Sequence, residues 1–86
     1  MEAPANLDAR IIRMICEVVP VKPEAVRPTD RLREDLGMDS VASMELLSML
    51  AEQLDLDVGV EDAAHVRTVA DTIELAARFL RERAAA

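Results

Sequence analysis

Apolar residues recur at helical spacing in three separate stretches of this chain, and no stretch alternates apolar and polar residues as a half-buried strand would. In the first stretch Leu7, Ile11, Ile15 and Val18 fall at steps of four, four and three, which places them on one helical face. Ile12, Cys16 and Val19 widen that face. Asn6 stands where an N-cap belongs, and Pro20 disfavours helix at the residue before it, so the spacing predicts a helix that ends by Val19. The second stretch predicts a helix from about Ser40 to Leu54, with Asp39 as its cap. At about 100° per residue from Ser40, Leu46, Leu47, Leu50 and Leu54 gather between roughly 240° and 340°, the face to be buried. Val41, Met44, Glu45, Ser48 and Glu52 gather between roughly 40° and 140°. This second face mixes apolar and acidic side chains, a composition found at interaction surfaces as well as on ordinary solvated faces. In the third stretch Val69, Ile73, Ala76 and Leu80 form the stripe, flanked by Phe79. Thr68 with Asp71 three residues on approximates a capping box, and Arg78, Arg81 and Arg83 suit the negative end of the helix dipole.

The segments between these helices differ in kind. Pro20, Pro23 and Pro28 forbid a continuous helix between Pro20 and Met38, a connection of nineteen residues. Thr29-Asp30 reads as a turn, Arg31 to Asp35 as a short helical turn, and Val21, Val26, Leu32 and Leu36 as the pins to the core. Connections of this length without regular structure tend to be functional. Gly37 permits the tight turn into the second helix. Asp55 to Val60 reads as a loop, and Val60 to Val66 as one short helix whose first turn holds Glu61 and Asp62. Few turns make that short helix the element best placed to move. The expected architecture is an all-α, small four-helix bundle: three main helices, one short helix and a long loop between the first and second. Residues 1–86 read as one domain, with Met1 to Ala5 and Ala84 to Ala86 as frayed ends.

Composition narrows the function classes. The chain has 86 residues, with 10 basic against 17 acidic side chains, a net charge of −7. Nucleic acid is a poor partner for such a surface, because phosphate binding needs basic patches, whereas basic protein surfaces are well matched. Phe79 is the only aromatic residue, so the core is built from Leu, Val, Ile, Met and Ala. Such a core adapts to irregular gaps. One cysteine excludes an intrachain disulfide, and no apolar run approaches the roughly 20 residues of a membrane span. The N-terminus lacks a basic region followed by an apolar stretch, so a soluble, cytoplasmic monomer is expected.

Catalytic constellations are poorly supported. One histidine and one cysteine, far apart in sequence, do not make a zinc site. Asp55-Leu56-Asp57 with Gly59 only echoes a calcium loop. Two glycines, Gly37 and Gly59, do not build a phosphate loop. Ser40 is not in G-x-S-x-G, and His65 is the only imidazole, expected at the surface. Cys16, on the apolar side of the first helix, reads as a small buried hydrophobe. The protein is therefore expected not to be an enzyme.

Ser40 remains. Asp-Ser alone is a common capping dipeptide. Here it follows D-x-L-x-x-D-L-G-M from Asp30 to Met38 and opens an amphipathic helix containing M-E-L-L. Together with T-V-A-D-T-I-E-L from Thr68 to Leu75, this resembles the acyl carrier protein family over nearly the whole chain. The resemblance implies that Ser40 receives 4′-phosphopantetheine from coenzyme A through a phosphopantetheinyl transferase. The thiol of that arm then carries acyl groups as thioesters between enzymes of fatty acid, polyketide or related biosynthesis. A hydroxyl on the first turn of a helix suits this, since the resulting phosphodiester lies at the positive end of the dipole. By the same resemblance the second helix recognises partners: acyl-transferring, condensing and modifying enzymes with basic docking surfaces. Glu45 and Glu52 would meet their basic residues, Val41 and Met44 would supply apolar contacts, Asp39 would contribute to transferase recognition, and the interior would accept part of the acyl chain.

The chain departs from the family pattern at three points. Val41 replaces the usual leucine after the serine, Ser48 stands where an apolar partner-facing residue is common, and the two-glycine motif frequent in peptidyl carriers is absent. Gly37-Met38-Asp39-Ser40 looks more like an acyl than an aminoacyl carrier. The alternatives are a peptidyl or aminoacyl carrier, and an unmodified acidic helical module that binds basic partners.

Overall fold

A computed structural model describes residues 6–85. The termini expected to fray, 1–5 and Ala86, lie outside the described residues, whereas helix continues to Ala85 rather than stopping before Ala84. The chain folds as α1 (Leu7–Val18), α2 (Ser40–Leu54), α3 (Val60–Ala63) and α4 (Val69–Ala85), with a single 3₁₀ turn at Pro23–Ala25. No strand is present among the described residues; the nearest approach is one isolated bridge, Arg31 to Thr68. The predicted all-α bundle of three main helices and one short helix is the observed architecture.

α1 packs against both α2 and α4. It buries Leu7, Ile11, Met14 and Ile15, so the buried face is turned toward Met14 and leaves Val18 and Cys16 half-buried. Asn6 occupies the N-cap position, but its side chain makes no capping hydrogen bond. The helix ends as Pro20 dictates, with Val19 already extended. In α2 the buried face is Ala42, Leu46, Leu50 and Leu54, while Leu47, at the edge of the predicted face, is half-buried. Asp55 closes this helix in the left-handed conformation, φ 57°, which a short polar side chain tolerates. In α4 the core side is Val69, Thr72, Leu75 and Ala76, rotated from the predicted stripe, so that Ile73 and Leu80 are half-buried. Thr72 is admitted to the core because its hydroxyl donates to the Thr68 carbonyl at 3.1 Å.

The predicted capping box at the start of α4 is formed. Thr68 Oγ1 accepts from the Asp71 amide at 3.1 Å, and Asp71 Oδ2 accepts from the Thr68 and Arg67 amides at 3.1 and 3.0 Å. α3 is shorter than the stretch predicted, and Asp62 Oδ2 closes its first turn by accepting from the Gly59 amide at 3.1 Å.

The long connection is well tied. Leu32 N donates to the Arg67 carbonyl at 2.8 Å, Val69 N to the Asp30 carbonyl at 3.0 Å, and Ala70 N to the Pro28 carbonyl at 2.9 Å. These bonds fasten the loop to the residues that open α4. Val26, Leu32 and Leu36 are buried as predicted; Val21 is half-buried, and Met38 supplies a further deep anchor. Among the described residues no helix is long and apolar enough to cross a membrane.

Candidate functional site

The loop delivers its last residues to α2 through a turn pinned on both sides. Leu36 and Met38 are buried, and between them Gly37 adopts φ 74°, a conformation that L side chains rarely take. The Gly37 amide donates to the Arg33 carbonyl at 3.1 Å and the Met38 amide to the Leu32 carbonyl at 2.9 Å. With Met38 anchored inward, Asp39 is extended and Ser40 is the first residue of α2. Asp39 Oδ1 accepts from the Ala42 amide at 2.8 Å, and the Asp39 carbonyl accepts from the Ser43 amide at 2.9 Å. This is the predicted cap. It engages the Asp39 carboxylate with its own helix and leaves Ser40 exposed at the helix N-terminus.

An open concavity of ≈ 260 Å³ lies at this turn, lined by Arg33, Gly37, Met38, Asp39 and Ser40. Arg33 and Met38 also line a groove of ≈ 390 Å³ that passes Ser43 and reaches Ala63, Ala64 and Arg67. A small apolar cleft of ≈ 90 Å³ opens between α2, α3 and α4, lined by Leu46, Leu47, Leu50, Val66, Thr72 and Leu75 among others. Just before the turn, Arg31 and Asp35 form a clamp. Arg31 Nε and Nη2 each reach Asp35 carboxylate oxygens at 3.2 Å, and the Arg31 amide donates to Asp35 Oδ2 at 2.7 Å. The Arg31 side-chain and backbone bonds hold the Asp35 carboxyl below its usual range.

The outer face of α2 carries Val41, 68% exposed, and Met44, 55% exposed, with Glu45, Ser48 and Glu52 also exposed. The structure therefore presents together the five residues that helical spacing grouped. It does not bring His65 to Ser40. His65 is exposed in a separate surface groove with Glu61, Asp62, Asp71, Glu74 and Arg78. Cys16 is half-buried rather than buried, and burial, helped by the charge of Glu24, raises its thiol pKa. Among the described residues no group of three or more His, Cys, Asp or Glu is arranged to hold a metal ion.

Two residues beside Ser40 escaped the sequence reading, Arg33 and Ser43. Their signal was present but ambiguous: Arg31 and Arg33 flank Leu32, and only the fold shows which of them Asp35 engages. Compared with known families, residues 9–76 match the model described as a phosphopantetheine attachment site, a span that includes the loop, the turn and all of α2.

Proposed function

Since the chain belongs to the family of phosphopantetheine attachment-site domains, carriers that bear the group covalently, we propose that Ser40 is the attachment residue and that the protein is an acyl carrier. The observation that carries this is the exposed Ser40 hydroxyl on the first turn of α2, at the mouth of an open concavity, with the neighbouring carboxylate turned into its own cap. The residues fit the group. The helix N-terminus favours the phosphodiester anion that attachment creates. Ser40 has no imidazole beside it and needs none, because a phosphopantetheinyl transferase supplies the activation. When bound, the group supplies the thiol on which acyl units are carried as thioesters.

The chain's own part is presentation, recognition and shelter. Val41 and Met44 supply apolar docking contacts, ringed by Glu45 and Glu52, which meet basic residues on partner enzymes. Asp39 adds a capped negative charge next to the acceptor. The apolar cleft of ≈ 90 Å³ between α2, α3 and α4 is the interior space that would receive the start of an acyl chain. Gly37-Met38 before Asp39-Ser40, without a second glycine, favours acyl over aminoacyl cargo, in fatty acid, polyketide or related biosynthesis.

The test is intact mass after incubation of the apo-protein with coenzyme A, magnesium and a broad-specificity phosphopantetheinyl transferase. The expected result is an increment of one phosphopantetheine in the wild type and none in Ser40→Ala. A folded wild-type protein that gains no mass refutes the carrier assignment, and a Ser40→Ala variant that still gains it refutes the site.

A further inference from the structure

The two loop arginines that flank Leu32 have different fates. Arg31 is committed to Asp35 through both its guanidinium and its backbone amide. That leaves Arg33 without an ion-pair partner within 4 Å among the described residues. Arg33 lines the concavity that Ser40 shares, and it also lines the adjoining groove that leads past Ser43 to Arg67. Arg67 likewise has no ion-pair partner among the described residues. In a chain of net charge −7, two guanidiniums outside any ion pair thus line one groove. The opposing charges are Glu34, which lines the groove, Asp39, which lines the concavity and is engaged by the Ala42 amide, and Asp71, whose carboxylate faces Arg67 from the start of α4. Asp39 already engages the Ala42 amide at the N-terminus of α2, and Arg33 is the cation that lines the concavity with Ser40.

We propose that Arg33 pairs with the phosphodiester attached to Ser40 and directs the arm into the groove that runs to Arg67, so that the arm rests along the protein instead of projecting freely. This rests on Ser40 being the attachment residue. The chemistry recognised is a singly charged phosphodiester at the Arg33 end, and the polar amide-bearing part of the arm along the groove. Arg33 is a positioning residue here: it holds the arm and takes no part in chemistry at the thiol.

The experiment uses the full chain in four forms: apo wild type, holo wild type, holo Arg33→Gln and holo Arg13→Gln. Arg13 is an exposed residue of α1 and matches the loss of charge without lining either cavity. Intact mass first establishes loading, and a wild type that does not load overturns both the attachment and the seat. With loading established, three nuclear magnetic resonance readouts are taken. The Arg33 Nε–H resonance should move between apo and holo wild type. The phosphorus resonance should move in holo Arg33→Gln and stay unchanged in holo Arg13→Gln. Arm amides should exchange with solvent about two- to fivefold faster in Arg33→Gln than in wild type, the range expected of an exposed ion pair, and the difference should shrink in high salt. An Arg33 signal that ignores loading, or a phosphorus signal that responds equally to both substitutions, overturns the seat while leaving the carrier assignment intact.

Discussion

At Asp39 one carboxylate has an observed task and a proposed one. Its Oδ1 holds the Ala42 amide at 2.8 Å, which is a cap, and its charge stands beside Ser40, which is the proposed cue for the transferase. Asparagine caps a helix about as well as aspartate but carries no charge. Asp39→Ala should therefore cost about 1 kcal/mol and lower the thermal midpoint by roughly 4–8 °C. Asp39→Asn should keep a midpoint close to that of the wild type and still load more slowly than it. Circular dichroism melts and loading kinetics on the same three proteins decide the matter. If Asp39→Asn loads at the wild-type rate, Asp39 is a cap and nothing more. The sequence made this residue legible because an Asx before an amphipathic run has one dominant local meaning. Arg33 was not legible, because a guanidinium's role depends on which carboxylate the folded loop brings to its neighbour.

The same contrast holds for whole elements. The three long helices follow from spacing alone, since a 3.6-residue period is a local property of the chain. Which edge of each stripe goes deepest is decided by the partner helix. That is why Met14 and Leu75 are buried where Val18 and Ile73 were expected, and Ala42 where Leu47 was. The long loop was legible as three prolines and a set of apolar pins, but not as a segment bonded to the start of α4, because its partners Arg67, Val69 and Ala70 are some forty residues away. The junction is consequential, for the capping box of α4 sits on the same few residues that hold the loop. Thr68→Ala removes the acceptor for the Asp71 amide and should cost about 1 kcal/mol, a fall of roughly 4–8 °C in midpoint. The other half of the box is sensitive to pH. The Arg67 and Thr68 amides hold the Asp71 carboxyl below its usual range. A carboxyl whose native pKa is depressed contributes stability above its unfolded value, about 3.9, and loses that contribution as pH falls from there through the native value. The Arg31 clamp depresses Asp35 in the same sense. Thermal midpoints should thus drop as pH is lowered from 5 to 3, and Asp71→Asn should flatten part of that slope. An identical slope in Asp71→Asn would show that the box carries no linked proton.

Seen as a whole, the molecule divides its charge: an acidic, partly apolar outer face on α2, and free arginines in the groove that starts beside Ser40. In the proposed docking, the acidic excess would supply a field that steers basic partners toward Ser40, and the exposed Val41 and Met44 would supply contact after arrival. These two contributions answer differently to salt. Glu45→Gln with Glu52→Gln removes two of seven net negative charges at the docking face without touching a buried side chain. The pair should slow association with the transferase several-fold at low ionic strength, a part of the roughly tenfold to thousandfold enhancement that steering can supply in full. The deficit should vanish near 1 M salt, where the Debye length is about 3 Å. Val41→Ala with Met44→Ala should instead hasten dissociation by a factor that salt barely alters, since burial of apolar area does not depend on screening. Stopped-flow association and dissociation rates for the apo-protein and transferase, measured from low to high salt, distinguish the two. Were the glutamate pair to leave the association rate and its salt slope unchanged, docking would have to be sought on another face of the bundle.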